Sequence, residues 1–301
     1  MPAVSTTLYY GAPLKPAGRE DNWVIDAISQ PPDVIWNFRR LAVDTTITDL
    51  RDSALDPRLD DMDFQKLPAP THVDQHDLLR KSASALRKYQ IETEEVLKSI
   101  THANDIVFFD ASVRHEGTET VQVQSAQSAH LRVHVDQNPR SALARALSHG
   151  GSELRFSRFQ IVNVWKPLVA PVRNFPLALC DYRSLNLASD LVRTRLDYPD
   201  WLKDKENYSL KYSPSHRWYY WSSLSPDETL VFKCYDSASR GLALVNEVTE
   251  RDGLLDVAGL CPHSAFFDHG GPNSGHLRTS LELRALLFYT DGFNDANAFV
   301  K

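Results

Sequence analysis

The sequence predicts a mainly β chain, two packed sheets of jelly-roll or cupin-like type with flanking helices. Three observations predict it. Short apolar runs rich in Val, Ile, Phe, Trp and Tyr recur between about residues 105 and 290. Pro, Gly, Ser and Asp clusters separate them. Strands do not alternate regularly with long helices, as a parallel α/β sheet would require.

The elements follow in order. Prolines recur through residues 1–75 and break them into short apolar groups, which predicts an irregular arm wrapped over the core. Within it, Val34-Ile35-Trp36-Asn37-Phe38 reads as a strand or an anchoring segment. Residues 76–100 read as a helix, because Leu78, Leu79, Ala83, Leu86, Tyr89, Ile91, Val96, Leu97 and Ile100 recur at roughly helical spacing, with Asp74 or Asp77 as its cap. Strand runs follow at Ile106–Phe109, across Thr118–Val135 (with Val121, Val123, Leu131 and Val133 alternating), and at Phe156–Trp165. A short helix covers Arg140–Leu147 between the last two. Leu177–Cys180, Arg217–Trp221, Leu230–Tyr235 and Ser280–Tyr289 complete the strands. The chain is thus one domain over 1–301, with an arm and helix at 1–104, a β core at 105–290 and a tail at 291–301.

Composition narrows the function classes. Hydrophobic residues make up 42% and charged residues 24%, close to the globular average, so the chain buries a substantial core. The net charge of -6, with no block of like charge, argues against a phosphate-tracking surface and hence against nucleic acid as partner. Three cysteines without a CxxC pair do not make a disulfide scaffold. No basic segment with an apolar run follows Met1, and no stretch approaches ~18 apolar residues, so the expectation is a cytoplasmic protein without a membrane partner.

The chemistry starts from His134-Val135-Asp136 at a strand end. Residues two apart on a strand share a face, so an imidazole and a carboxylate converge. Two histidines and one carboxylate on one face of an octahedral metal leave three positions for a bidentate 2-oxoacid and O₂. Thr71-His72-Val73-Asp74-Gln75 nearly repeats the motif, but it precedes a helix, where Asp74 is better explained as a cap. The third ligand has three candidates: His263, His269 and His276. A ligand needs a rigid, partly buried setting, which favours His263 in Cys261-Pro262-His263-Ser264-Ala265-Phe266 over the glycine-rich loop that holds the other two. Arg278 and Ser280 open the last strand on one face, and a guanidinium with a neighbouring hydroxyl suits the distal carboxylate of a 2-oxoacid. Arg284 shares their parity but lies about 20 Å further on, at ~3.3 Å per residue. It therefore pairs with Glu282 or another acid, or binds substrate.

This order of motifs resembles the 2-oxoglutarate/Fe(II) oxygenases. The wider pattern is similar to the AsaB-like hydroxylase/desaturases, a fungal and bacterial subgroup that includes the gibberellin desaturase and cephamycin 7α-methoxylation proteins. The stretches that carry it are Val133–Asp136, Gln160–Leu168, Pro176–Ser184, Asp227–Ser237, Pro262–Phe266 and Arg278–Arg284. The resemblance implies a double-stranded β-helix, Fe(II) on His134, Asp136 and His263, and 2-oxoglutarate and O₂ as co-substrates. It implies succinate and CO₂ as co-products of hydroxylating, desaturating or oxidatively cyclising a small natural-product intermediate in secondary metabolism. It also admits a homodimer or a partner enzyme. Asn163 is implied at the cofactor, and Arg284, Trp165, Gln137 and Tyr219 are candidates for the substrate wall. For Trp165 and Tyr219 simple core packing is the competing account. Lys233 and Asp236 form a buried ion pair or cap a strand end. Two departures stand out: Lys166 replaces the Arg of an Asn-x-Trp-Arg-Pro motif, and Gln137 replaces an aromatic after Asp136. The competing functional readings are a cupin-type zinc hydrolase or isomerase and a non-catalytic accessory or binding protein on the same fold.

Overall fold

The computed structural model describes residues 2–15, 22–31, 33–115, 130–150, 156–169, 172, 174–198, 206–246, 253–269 and 278–290. In chain order the elements are β1 (Ala3–Pro13), β2 (Asn22–Asp26), β3 (Ile35–Trp36), β4 (Phe38–Asp49), β5 (Phe64–Pro68), α1 (Gln75–Leu79), α2 (Ala83–Thr101) and β6 (Asp105–His115). Then come β7 (His134–Val135), α3 (Pro139–His149), β8 (Arg158–Pro167), β9 (Leu177–Cys180), α4 (Leu187–Asp190), β10 (Leu191–Asp197) and β11 (Glu206–Leu210). β12 (Trp218–Tyr220), β13 (Glu228–Asp236), α5 (Arg240–Val245), β14 (His263–Ala265) and β15 (Thr279–Tyr289) complete the chain.

Two sheets hold these strands. One runs β1-β4-β12-β9-β14-β7-β11-β10-β2-β3 and the other β5-β13-β8-β15-β6. From β6 onward the chain passes between them, with β6, β8, β13 and β15 in the second sheet and β7, β9, β12 and β14 in the first. That is the expected double-stranded β-helix. Phe159, Ile161, Trp165, Leu177, Leu179, Leu230, Phe232, Cys234, Leu286 and Phe288 pack between the sheets. The alternate residues Val162, Val164, Val231, Leu281, Leu283, Ala285 and Leu287 face α2 instead. Period-2 alternation therefore gives the second sheet two apolar faces, one for the barrel interior and one for the helix.

α2 answers that outer face with Ala85, Tyr89, Thr93 and Leu97, a stripe four residues apart. Burying Tyr89 or Leu97 contributes roughly 1.5–3 kcal/mol each. The single helix expected over 76–100 is two helices. Lys81 takes φ 52° between them, and Asp74 Oδ1 caps α1 by accepting from the His76 and Asp77 amides at 2.9 and 3.1 Å.

The described residues between 3 and 49 hold four strands, β1 to β4, rather than an irregular arm, and the segment expected at Val34–Phe38 supplies β3 and the start of β4. β1 and β4 pair antiparallel from Ala3↔Thr48 to Pro13↔Phe38, and β4 extends the first sheet beside β12. The half-buried or buried Leu41, Val43, Thr45 and Ile47 alternate with exposed Ala42, Asp44 and Thr46, and this period of two is the driving pattern. At Gly11 an added Cβ would stand 2.0 Å from Cζ3 of Trp23, so only glycine lets that ring lie on β1. β10 and β11, which no sequence pattern had suggested, pair antiparallel and link β2 to β7. Of the strand expected over Thr118–Val135, residues 116–129 lie outside the described residues, and only His134–Val135 is strand in the remainder. No helix among the described residues is long and apolar enough to cross a membrane.

Candidate metal centre

β7 and β14 are short antiparallel neighbours in which His134 stands opposite His263. Side chains of directly opposed strand residues leave the same face, so both imidazoles enter the barrel interior, with ring centroids 4.5 Å apart. Asp136, just past the end of β7, turns to the same point. Its Oδ1 lies 3.4 Å from His134 Nε2 and 3.9 Å from His263 Nε2. The three candidate ligand atoms all fall within 4.8 Å of one another. Ligands on one octahedral face are about 3 Å apart when each bond is ~2.1 Å, so a small inward movement closes the set on a metal.

Electrostatics suit that use. His134 Nδ1 is tied to the Arg132 carbonyl at 2.7 Å and His263 Nδ1 to the Cys261 carbonyl at 3.0 Å. In each ring Nδ1 therefore carries the proton and Nε2 presents its lone pair, the usual arrangement behind a metal. Burial, reinforced by the neighbouring His134, lowers the His263 pKa to about 3, which keeps it neutral and ready to ligate. Burial opposes ionisation of Asp136, but the Arg284 guanidinium and the nearby histidines outweigh it and hold the carboxyl well below its usual range. The donor set of two neutral imidazoles and one carboxylate fits Fe(II).

Asp136 Oδ2 faces away from the histidines. It accepts from Asn163 Nδ2 at 2.9 Å, lies 3.3 Å from Arg284 Nη2, and meets the Cys234 thiol at 3.9 Å. Asn163 is on β8, opposite Arg284 on β15. Arg284 reaches Glu282 at 3.1 Å and Asp110 at 3.3 Å. The pairing of Arg284 with Glu282 was expected from the sequence; Asp110 and Cys234 were not singled out. Asp110 is opposite Arg284 in the β6–β15 register, and such long-range pairing leaves no local signal.

Arg278 lies immediately before β15 and is 2% exposed. Its Nη1 donates to the Phe175 carbonyl at 2.9 Å and its Nε to Ser280 Oγ at 3.3 Å. Its guanidinium sits 5.3 Å from the centre of the Trp165 ring. Trp165 is two residues from Asn163 on β8, or ~7 Å along the strand. Trp165 is fully buried in the core. Gln137 is buried beside Asp136 in sequence, and Tyr219 is half-buried against Phe64, ring centroids 6.1 Å apart. Phe232 packs on His263 at 4.7 Å between centroids. Lys166 points to the opposite face of β8, where its ammonium donates to the carbonyls of Ala69, at 2.8 Å, and Pro226. The expected buried ion pair is present, with Lys233 Nζ 2.8 Å from Asp236 Oδ2. His269 is not among the converging ligands, and His276 lies outside the described residues.

Two imidazoles and a carboxylate on a double-stranded β-helix define the class of non-haem Fe(II) oxygenases. Comparison with known proteins agrees. The family described as oxidoreductase/YMDC permease-like domain matches residues 10–288. The hydroxylase/desaturase efuI of Hormonema carpetanum is 29% identical over 270 residues, covering 81% of this chain and 83% of its own. The hydroxylase/desaturase asaB of Aspergillus flavus is 33% identical over 190 residues, 58% of this chain and 77% of its own. The solved iron and alpha-ketoglutarate-dependent endoperoxidase NvfI shares the fold, with a TM-score of 0.78 at 22% identity over 96% of this chain and 98% of that one. The chain belongs to the oxidoreductase/YMDC permease-like family and to the Fe(II)/2-oxoglutarate-dependent hydroxylase/desaturases that these relatives represent.

Proposed function

We propose that this protein uses Fe(II), 2-oxoglutarate and O₂ to oxidise a small natural-product intermediate of secondary metabolism, by hydroxylation, desaturation or oxidative cyclisation. The observation that carries the reading is the convergence of His134 Nε2, His263 Nε2 and Asp136 Oδ1 inside the barrel. The relatives named hydroxylase/desaturase and the alpha-ketoglutarate-dependent dioxygenase tstK of Talaromyces stipitatus (29% identical over 252 residues) support it.

When bound, iron would supply the one-electron chemistry that couples oxidative decarboxylation of 2-oxoglutarate to attack on a C–H bond. The protein's own part is position and exclusion of water. His134, His263 and Asp136 would hold one face of the metal, leaving the other for co-substrate and O₂. Arg278 and Ser280 would bind the distal carboxylate of 2-oxoglutarate. Phe232, Leu179 and Trp165 form dry walls around the histidines and the guanidinium, which strengthens each of these polar contacts.

The test is anaerobic absorption spectroscopy of purified protein with Fe(II) and 2-oxoglutarate. A visible charge-transfer band in wild type, absent in His134→Ala, is the expected outcome. No band, with tight zinc binding instead, would overturn the oxygenase reading in favour of a hydrolase or isomerase.

A further inference from the structure

We propose that Asn163 and Arg284 are positioning residues that clamp the outer oxygen of Asp136, so that this carboxylate gives the iron one oxygen and not two. The inference rests on the iron-site reading above and adds a role for two residues outside the ligand set.

The two oxygens of Asp136 have different surroundings. Oδ1 faces both Nε2 atoms, at 3.4 and 3.9 Å. Oδ2 takes the Asn163 amide at 2.9 Å and the Arg284 guanidinium at 3.3 Å. A carboxylate beside a metal rotates easily between one-oxygen and two-oxygen binding, and hydrogen bonds on one oxygen decide which it adopts. Here the count of open positions depends on that choice. Three protein ligand atoms leave three positions on an octahedral metal. A chelating 2-oxoacid takes two and O₂ takes one. A second oxygen from Asp136 would occupy one of them.

The clamp is itself braced. Arg284 is held by Glu282 at 3.1 Å and Asp110 at 3.3 Å, from its own strand and from β6. Asn163 is fully buried on a central strand, with β13 on one side and β15 on the other. Both donors therefore stand on rigid elements, which is what fixing a carboxylate to a fraction of an ångström requires. This also accounts for Arg284 lying inside the barrel while another arginine, Arg278, opens the same strand.

The experiment uses the full chain and three variants: Asn163→Leu, which removes the amide at similar size, Arg284→Met, and Arg284→Lys, which restores a cationic donor. Co(II) ligand-field absorption, read before any 2-oxoglutarate is added, reports how the carboxylate binds. Anaerobic titration of the Fe(II) protein then reports 2-oxoglutarate affinity. Asn163→Leu and Arg284→Met are expected to shift the Co(II) bands and weaken 2-oxoglutarate binding roughly 10–100-fold, with Arg284→Lys close to wild type. Circular dichroism identifies a variant that does not fold. Should Arg284→Met be one, Asn163→Leu against Arg284→Lys decides the matter. Wild-type bands and affinity in folded Asn163→Leu would overturn the clamp while leaving the iron site standing. A wild-type protein that binds neither Fe(II) nor Co(II) would overturn both.

Discussion

Arg278→Ala is the most informative single change for the co-substrate. The guanidinium is buried beside Ser280 Oγ and the face of Trp165. A carboxylate bound there would receive two charge-assisted hydrogen bonds. Each is worth about 1.5–3 kcal/mol where water does not compete. Water entering the space left by alanine recovers part of this, so a net loss of ~3 kcal/mol is expected. At 1.4 kcal/mol per tenfold, 2-oxoglutarate would bind roughly 100-fold more weakly. Arg278→Lys keeps the charge but loses the planar fork, and an intermediate loss of about 10-fold follows. Ser280→Ala removes one neutral hydrogen bond, ~1 kcal/mol. The assay is anaerobic titration of the Fe(II) protein with 2-oxoglutarate, followed by its charge-transfer band. A parallel titration with pyruvate, which has no distal carboxylate, is the internal control. Wild type should prefer 2-oxoglutarate strongly, and Arg278→Ala should lose that preference. A folded Arg278→Ala protein that binds 2-oxoglutarate within threefold of wild type would refute the assignment.

Three further outcomes concern stability. Gly11→Ala forces a Cβ to 2.0 Å from the Trp23 ring; it should cost about 1–3 kcal/mol of overpacking, seen as a lower Tm with the metal site intact. Lys233→Met strips the ammonium from buried Asp236 and leaves Arg158, 3.0 Å from Asp236 Oδ1, as its cation; a loss of about 3 kcal/mol in denaturant unfolding is expected, the low end for a broken buried pair because Arg158 remains. Burial opposes ionisation of Glu228, yet hydrogen bonds from Arg51, Lys66 and the Ser225 amide lower its pKa to about 2 from 4.5. A depressed carboxyl stabilises above its unfolded pKa and loses that contribution as pH falls, here between 4.5 and 2. After allowance for solvent, about 1 kcal/mol should separate wild type from Glu228→Gln at pH 7 and vanish near pH 2.

The core strands were legible because their apolar content is dense. β9 and β15 fall within a residue of their expected limits, since continuous runs such as Leu177–Cys180 need burial on both faces. The His134 and Asp136 pair was legible from its spacing together with its strand setting, which separates it from the same spacing at His72 and Asp74, and His263 from its apolar neighbours. Apart from β3, which falls in the segment Val34–Phe38 read as a strand or an anchor, the N-terminal strands were not. In β4 exposed Arg39, Arg40 and Asp44 dilute the pattern, because only one face of that sheet extension meets the core. β10 reads Leu-Val-Arg-Thr-Arg-Leu-Asp and was passed over for the same reason. The contacts of Arg284 were beyond any local reading. Parity put it on the inner face, but its partners come from the loop after β7, from β6 and from its own strand, and only tertiary register joins them.

The pairing of His134 with His263 across β7 and β14 ties metal capture to the docking of a strand far along the chain from the first ligand. A ribosome-bound or partly folded chain that has not yet added residue 263 holds at most two of the three ligands. Chelation by two ligands is far weaker than by three in a preformed set, so such a chain would take up little iron. The chain that does take up iron is one in which β7 and β14 have already paired. A chain in which those two strands have not paired lacks the complete ligand set, so iron uptake reports a closed barrel.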